Sequence, residues 1–179
     1  MSFPTIIEHS DFTLKAATDI SKAEEFSKIV SENQEEFKFL PHTSGISTME
    51  KAVAEIEGFQ QKWNAGTMFF YFIFNLKGYI VGRVGIKIKD DGHVAEGCYW
   101  LNKTETGKGF VSKAIKLLEK AVFSEGYHRF EIWCNADNIS SVRVPQRLNF
   151  YQDANLRGLE YLLGDYHDVL VFSKLKTDL

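Results

Sequence analysis

The chain has 179 residues, 44% of them hydrophobic and 14% aromatic, with a formal net charge of −3 at pH 7. That length suits one domain with a sizeable core, and the composition excludes a disordered chain. An acidic balance without a basic stripe argues against nonspecific nucleic-acid binding, and the aromatic run from Met68 to Phe74 is too short to cross a bilayer.

The N-terminal segment MSFPTIIEHSDF lacks the basic region and apolar run of a signal peptide, so a soluble cytoplasmic protein is expected. Phe12 to Ala16 is a short strand candidate. Asp19 is placed to cap a helix from about Ile20 to Phe37, striped by Ala23, Phe26, Ile29, Val30 and Phe37. After Pro41, Ser47 and Glu50 have capping-box spacing. The helix they open runs to about Asn64 and stops at Gly66, with Val53, Ile56, Phe59 and Trp63 inward. Then the period changes. Met68 to Asn75, Tyr79 to Lys89 and Val94 to Leu101 are rich in aromatic and β-branched residues. Turns at Lys77-Gly78 and Asp90-Asp91-Gly92 make them an antiparallel meander.

From Tyr99 to Ala121 the chain reads as strand, short loop and helix, with Gly107 and Gly109 in the loop. Phe110, Val111, Ala114, Ile115, Leu118 and Val122 share one face of that helix. Glycines let the backbone approach a ligand closely, and the helix start offers unpaired N–H groups and a positive dipole end. Such a loop suits a phosphate or pyrophosphate; the alternative is a glycine-softened turn that binds nothing. A P-loop is excluded because no G-x-x-x-x-G-K-[ST] occurs, and Ser112 stands where the dinucleotide fingerprint needs its third glycine.

Gly126 ends the helix, and His128 to Cys134 forms another strand. Asn138 caps a helix through Leu148 that contains Pro145, which removes one backbone bond and favours a kink or a short helix. Tyr151 to Leu156 and His167 to Leu175 are strands around a turn at Gly164-Asp165. The fold class is therefore α+β in a single domain, residues 1–179 with a core over about 10–175. Its mixed, mostly antiparallel twisted sheet has about seven strands, flanked by about four helices. Cys98 and Cys134 lie in predicted interior strands, and neither they nor His93, His128 and His167 show metal-ligand spacing, so no metal is assigned.

This order, with the segments AEGCYWLNKTETGKGF, HRFEIWCNADNISSVRVPQRLNF and RGLEYLLGDYHDVLVFSKL, resembles the GCN5-related N-acetyltransferase (GNAT) superfamily. Within it, the chain is most similar to the Rim-type branch, which acetylates ribosomal-protein N-termini. The family loop is usually Q/R-x-x-G-x-G/A; here Thr106 replaces the long polar residue and Val111 the small one, while Asn149 stands where glycine usually follows R-L. Asn is the next-best residue for a positive φ.

The resemblance implies transfer of an acetyl group from acetyl-CoA, as co-substrate, to a primary amine. Backbone amides from Gly107 through Phe110 and Val111, flanked by Thr106 and Gly109, would cradle the pyrophosphate, with Lys108 adding charge. Trp100 and Leu101 would offer free backbone groups to the pantetheine arm. Asn138 would bond that arm or serve only as a cap. Ser141 takes the position of the group that protonates the leaving thiol, and Tyr151 is the alternative acid. Glu96 takes the general-base position, with Glu160 a second base candidate.

The implied acceptor is a protein N-terminal α-amine, with no nucleic acid or membrane as partner and a homodimer left open. A small amine (polyamine, amino sugar or antibiotic) and a non-catalytic acyl-CoA-binding module are the competing readings.

Overall fold

The computed structural model describes residues 3–89 and 93–178; the turn expected at Asp90-Asp91-Gly92 lies outside them. The chain forms eight strands and five α-helices among the described residues. The strands are β1 (Ile6–His9), β2 (Phe12–Ala16), β3 (Met68–Asn75), β4 (Ile80–Lys89), β5 (Val94–Leu101), β6 (Arg129–Asn135), β7 (Tyr151–Leu162) and β8 (Asp165–Leu175). The helices are α1 (Ala23–Glu32), α2 (Pro41–Ser44), α3 (Met49–Asn64), α4 (Phe110–Ser124) and α5 (Ile139–Arg147).

One sheet holds all eight strands in the order β1-β2-β3-β4-β5-β6-β8-β7. Every neighbouring pair is antiparallel except β5 and β6, which α4 joins as a parallel crossover. The mixed α+β architecture is as expected, with one strand more. That extra strand, β1, pairs with β2 from Ile6↔Lys15 to His9↔Phe12. It is short and mostly solvent-facing, so it carries little of the apolar alternation by which strands are recognised.

Both faces of the sheet are covered, which explains why β3 is apolar along its whole length. Helices α4 and α5 pack with Val84, Ile86, Phe130 and Ile132 on one face. Helices α1 and α3 pack with Phe70, Phe72 and Trp100 on the other.

Local chemistry shifts several boundaries. The helix expected from Ile20 to Phe37 is three pieces: a 3-10 turn at Ile20–Lys22, α1, and a second 3-10 turn at Gln34–Phe37. Asp19 caps the first by accepting from the Ser21 amide at 3.0 Å. Helix α3 is capped by Thr48 rather than Ser47, its hydroxyl accepting from the Lys51 amide. The final hairpin extends closer to its turn than expected, because Leu163 and Gly164 both take positive φ and let the two strands pair up to Leu162↔Asp165. Asn149 adopts φ +59, the left-handed conformation foreseen for it. Among the described residues no helix is long and apolar enough to cross a membrane.

Candidate active site

The site begins where two strands part. The β5–β6 ladder runs only from Val94↔Arg129 to Gly97↔Ile132. Beyond Gly97, β5 stays with β4 and β6 stays with β8, so the two strands diverge and leave backbone groups of Cys98 to Leu101 without a partner on that side. At the branch point a side chain is not tolerated: a Cβ on Gly97 would lie 2.8 Å from Phe130 Cζ.

Two cavities meet at this gap. The larger, about 820 Å³, is walled by Trp100 and Leu101, by Thr106, Gly107 and residues 109–112, by the start of α5, and by residues 35–40. The smaller, about 360 Å³, is bounded by Cys98, Trp133, Asn135, Leu159 and Glu160. Tyr99, Asn138 and Ser141 border both. Volumes of this order suit a cofactor-sized ligand and a smaller partner group.

The glycine loop is built to present backbone. Gly107 and Gly109 hold φ of +80 and +77. Gly109 is the N-cap of α4 and has no side chain to bond the first-turn amides, and that turn carries no acid. The amides and the positive end of the α4 dipole are thus free for an anion. The Thr106 hydroxyl donates to the Lys103 carbonyl at 2.8 Å and closes the loop from below. Val111 lines the cavity while also packing on the core. Lys108 is turned toward Glu105, 2.8 Å away, and is not on the cavity wall.

Asn138 caps α5, accepting from the Ser141 amide at 3.2 Å and the Ser140 hydroxyl at 2.8 Å. The Ser141 hydroxyl donates to the Tyr99 phenol at 3.2 Å, and the phenol donates to the Ser141 carbonyl at 2.9 Å. Cys134 Sγ lies 3.3 Å from the same serine hydroxyl. Burial drives the Tyr99 phenol well above its ordinary pKa and raises that of Cys134, so both are protonated at neutral pH. Burial likewise raises Cys98, to about 11. Tyr99 was not expected as a site residue. In the sequence it is one aromatic in an apolar strand, and nothing there shows that its hydroxyl reaches a helix 42 residues away.

The carboxylates separate. Glu96 is held by Lys89 at 2.6 Å, and Lys89 in turn reaches Glu131 at 3.3 Å and sits 4.0 Å over the Trp133 ring. Glu96 borders neither cavity. Glu160 borders the smaller one and accepts from Asn135 Nδ2 at 2.8 Å. Tyr151 is 73% exposed and borders neither. The structure therefore brings Ser141, Asn138, Trp100, Leu101 and the glycine loop onto one cavity, with Glu160 across the gap. It leaves Glu96, Tyr151 and Lys108 outside. Among the described residues no cluster of three or more His, Cys, Asp or Glu could hold a metal ion.

Residues 12–151 match the acetyltransferase (GNAT) domain family. The ribosomal-protein-serine acetyltransferase of Escherichia coli is 31% identical over 90 residues, half of each chain. The chain thus spans about half the length of the first curated relatives it matches. A solved structure of RimL, described as a ribosomal L7/L12 alpha-N-protein acetyltransferase in complex with coenzyme A, superposes with a TM-score of 0.90. It is 25% identical and covers 97% of this chain and 99% of its own. The microcin C7 self-immunity acetyltransferase MccE, in complex with acetyl-CoA and AMP, is 27% identical over 97% of both chains, with a TM-score of 0.88.

Proposed function

The chain belongs to the GNAT acetyltransferase domain family, and from that premise we propose that it transfers the acetyl group of acetyl-CoA to the N-terminal α-amine of a protein of the ribosomal type. The observation that carries this reading is the β5–β6 ladder ending at Gly97, which lets the glycine loop and the Ser141 hydroxyl face one cavity while Glu160 faces the adjoining one.

The residues present fit acetyl-CoA. The Gly107–Val111 backbone amides match a pyrophosphate, and the open edge of β5 from Cys98 to Leu101 matches an extended amide-bearing arm that adds as a pseudo-strand. Asn138 borders that path with its side-chain amide, so it caps α5 and also bonds the arm. The co-substrate supplies an activated thioester carbonyl.

Within this reading Glu160 accepts, through water, the proton that the attacking amine loses. The carbon–nitrogen bond forms as the carbon–sulfur bond breaks; Ser141 gives its hydroxyl proton to the departing sulfur and recovers one from solvent, while Glu160 releases the amine's proton to solvent, so both side chains return to their starting states. Tyr99 holds Ser141 in place from both its hydroxyl and its carbonyl. We assign the base role to Glu160 and not to Glu96, because the Lys89 ammonium occupies the Glu96 carboxylate away from both cavities. Such positioned acid–base groups typically contribute about 10²–10⁴-fold. With a ribosomal acceptor the protein works in the cytoplasm.

A peptide α-amine titrates near pH 8 and lysine near 10.4, so at neutral pH the nucleophilic fraction of an N-terminus exceeds that of lysine by about two orders of magnitude. Thiol release with acetyl-CoA and paired peptides tests the assignment. The free N-terminus should react faster than an internal lysine in the matching N-blocked peptide; the reverse order would refute it. One observation supports a second reading, a small amine as acceptor: the similar structure of MccE is a complex with AMP. Faster acetylation of small amines than of any peptide would favour it.

A further inference from the structure

The cavity rim contributed by α5 is more basic than its neighbours require. Arg143 and Arg147 are exposed, lie four residues apart on α5, and both border the larger cavity. Arg147 reaches the first turn of α4, where its Nη1 donates to the Ser112 hydroxyl at 3.1 Å. The chain as a whole is acidic, with 24 Asp and Glu against 21 Lys and Arg. The other cations at this rim are engaged locally: Lys103 pairs with Glu36 at 3.5 Å, and Lys38 lies 5.0 Å over the Phe39 ring. Arg143 has no hydrogen bond, ion pair or ring contact among the described residues. Arg147 stands in the last turn of α5, where a cation favours the helix dipole without any ligand. Arg143, in mid-helix, has no such local reason.

We infer that Arg143 and Arg147 form a subsite for the 3′-phosphate of the co-substrate's adenosine, and so select acetyl-CoA over carriers that share the pantetheine arm but lack that phosphate. The inference rests on the acetyl-CoA reading and adds to it a discriminating group. The positions follow from the path of the ligand. With the pyrophosphate on the α4 amides, the nucleoside leaves the loop over the opening between α4 and α5, and that opening is rimmed by these two guanidiniums. A phosphate monoester carries close to two charges at neutral pH and three strong acceptor oxygens. The guanidinium fork matches it in a way that lysine does not. Ser112, already bonded to Arg147, holds that fork toward the α4 side of the opening.

The test is calorimetric binding of CoA and of 3′-dephospho-CoA to the full chain and to Arg143→Ala, Arg147→Ala and the double variant. Both arginines are exposed, so each variant should fold. Hydrogen bonds to charged groups are typically strong enough to change affinity about tenfold or more, so the native chain should prefer CoA by at least about tenfold. Each single variant should reduce that preference, and the double variant should abolish it while binding of 3′-dephospho-CoA stays unchanged. A purely structural role for either arginine would weaken both ligands together and leave their ratio intact, which overturns the inference. Equal and tight binding of the two ligands by the native chain also overturns it, yet leaves the acetyl-CoA reading standing. If neither ligand binds, the acetyl-CoA reading fails, and the subsite with it.

Discussion

Gly109→Ala separates the backbone role of the loop from its ligand role. At this position φ is +77, and an added Cβ would meet only Lys113 Cε at 3.8 Å, an ordinary contact. No protein atom resists the methyl group, so its structural cost is confined to holding an L-residue in the left-handed region, about 1–2 kcal/mol. In a chain of this size each kcal/mol lowers the unfolding midpoint by about 2–4 °C, so the variant should melt about 2–8 °C below the native chain. Gly126, at the far end of α4, has φ +96 and nothing within 4 Å of an added Cβ. Gly126→Ala therefore carries a comparable backbone cost away from the cavity and serves as the control. The effect on CoA should differ sharply. The new methyl group projects toward the space where the pyrophosphate must approach the α4 amides, and loss of even one or two charge-assisted hydrogen bonds there weakens binding about a hundredfold. Thermal unfolding with CoA at about one hundred times its native dissociation constant reads this directly. Linkage gives about 2.7 kcal/mol of stabilisation for the native chain, or about 5–11 °C. The control should gain the same, and Gly109→Ala only about 1 °C. A Gly109→Ala protein that gains as much as the control would refute the cradle.

Three further outcomes follow from the geometry. Ser141→Ala should lower kcat by about 10²–10⁴-fold with the KM for acetyl-CoA little changed, measured by steady-state thiol release; an unchanged kcat removes Ser141 from the chemistry. Glu160→Gln should lower the rate by a similar factor and flatten its rise toward alkaline pH, whereas Glu96→Gln, which loses only the Lys89 pair, should stay within about threefold of native; the opposite ranking would return the base role to Glu96. The Asp137 carboxylate, 2.7 Å from His167 Nδ1, raises the His167 pKa above its ordinary value. The stabilisation linked to this pair is thus complete below about pH 6.5 and lost as pH rises through the raised folded value. NMR titration of the ring should show that raised value in the native chain and a fall in Asp137→Asn; equal values in both would refute the pairing.

Sequence alone determined what depends on neighbouring residues. Asn138 caps α5 and Asn149 turns the chain at positive φ, because each is decided by backbone sterics or a hydrogen bond spanning two or three residues. The strong periodicity of α4 and the apolar run of β3 announced their elements for the same local reason, as burial of a face repeats within a few residues. Tertiary structure decided what depends on residues far apart in the chain. Glu96 and Glu160 are equally plausible carboxylates in one dimension; Lys89, on the neighbouring strand, pairs with the first, and the final hairpin carries the second to the gap. Tyr99 reaches Ser141 only because β5 runs beneath the first turn of α5, whereas Tyr151, at the opposite end of β7 from Glu160, is turned to solvent and borders neither cavity. The gap itself depends on the point at which β5 and β6 stop sharing hydrogen bonds. That point is set by which partner each strand keeps on its other side, a choice made by the whole sheet.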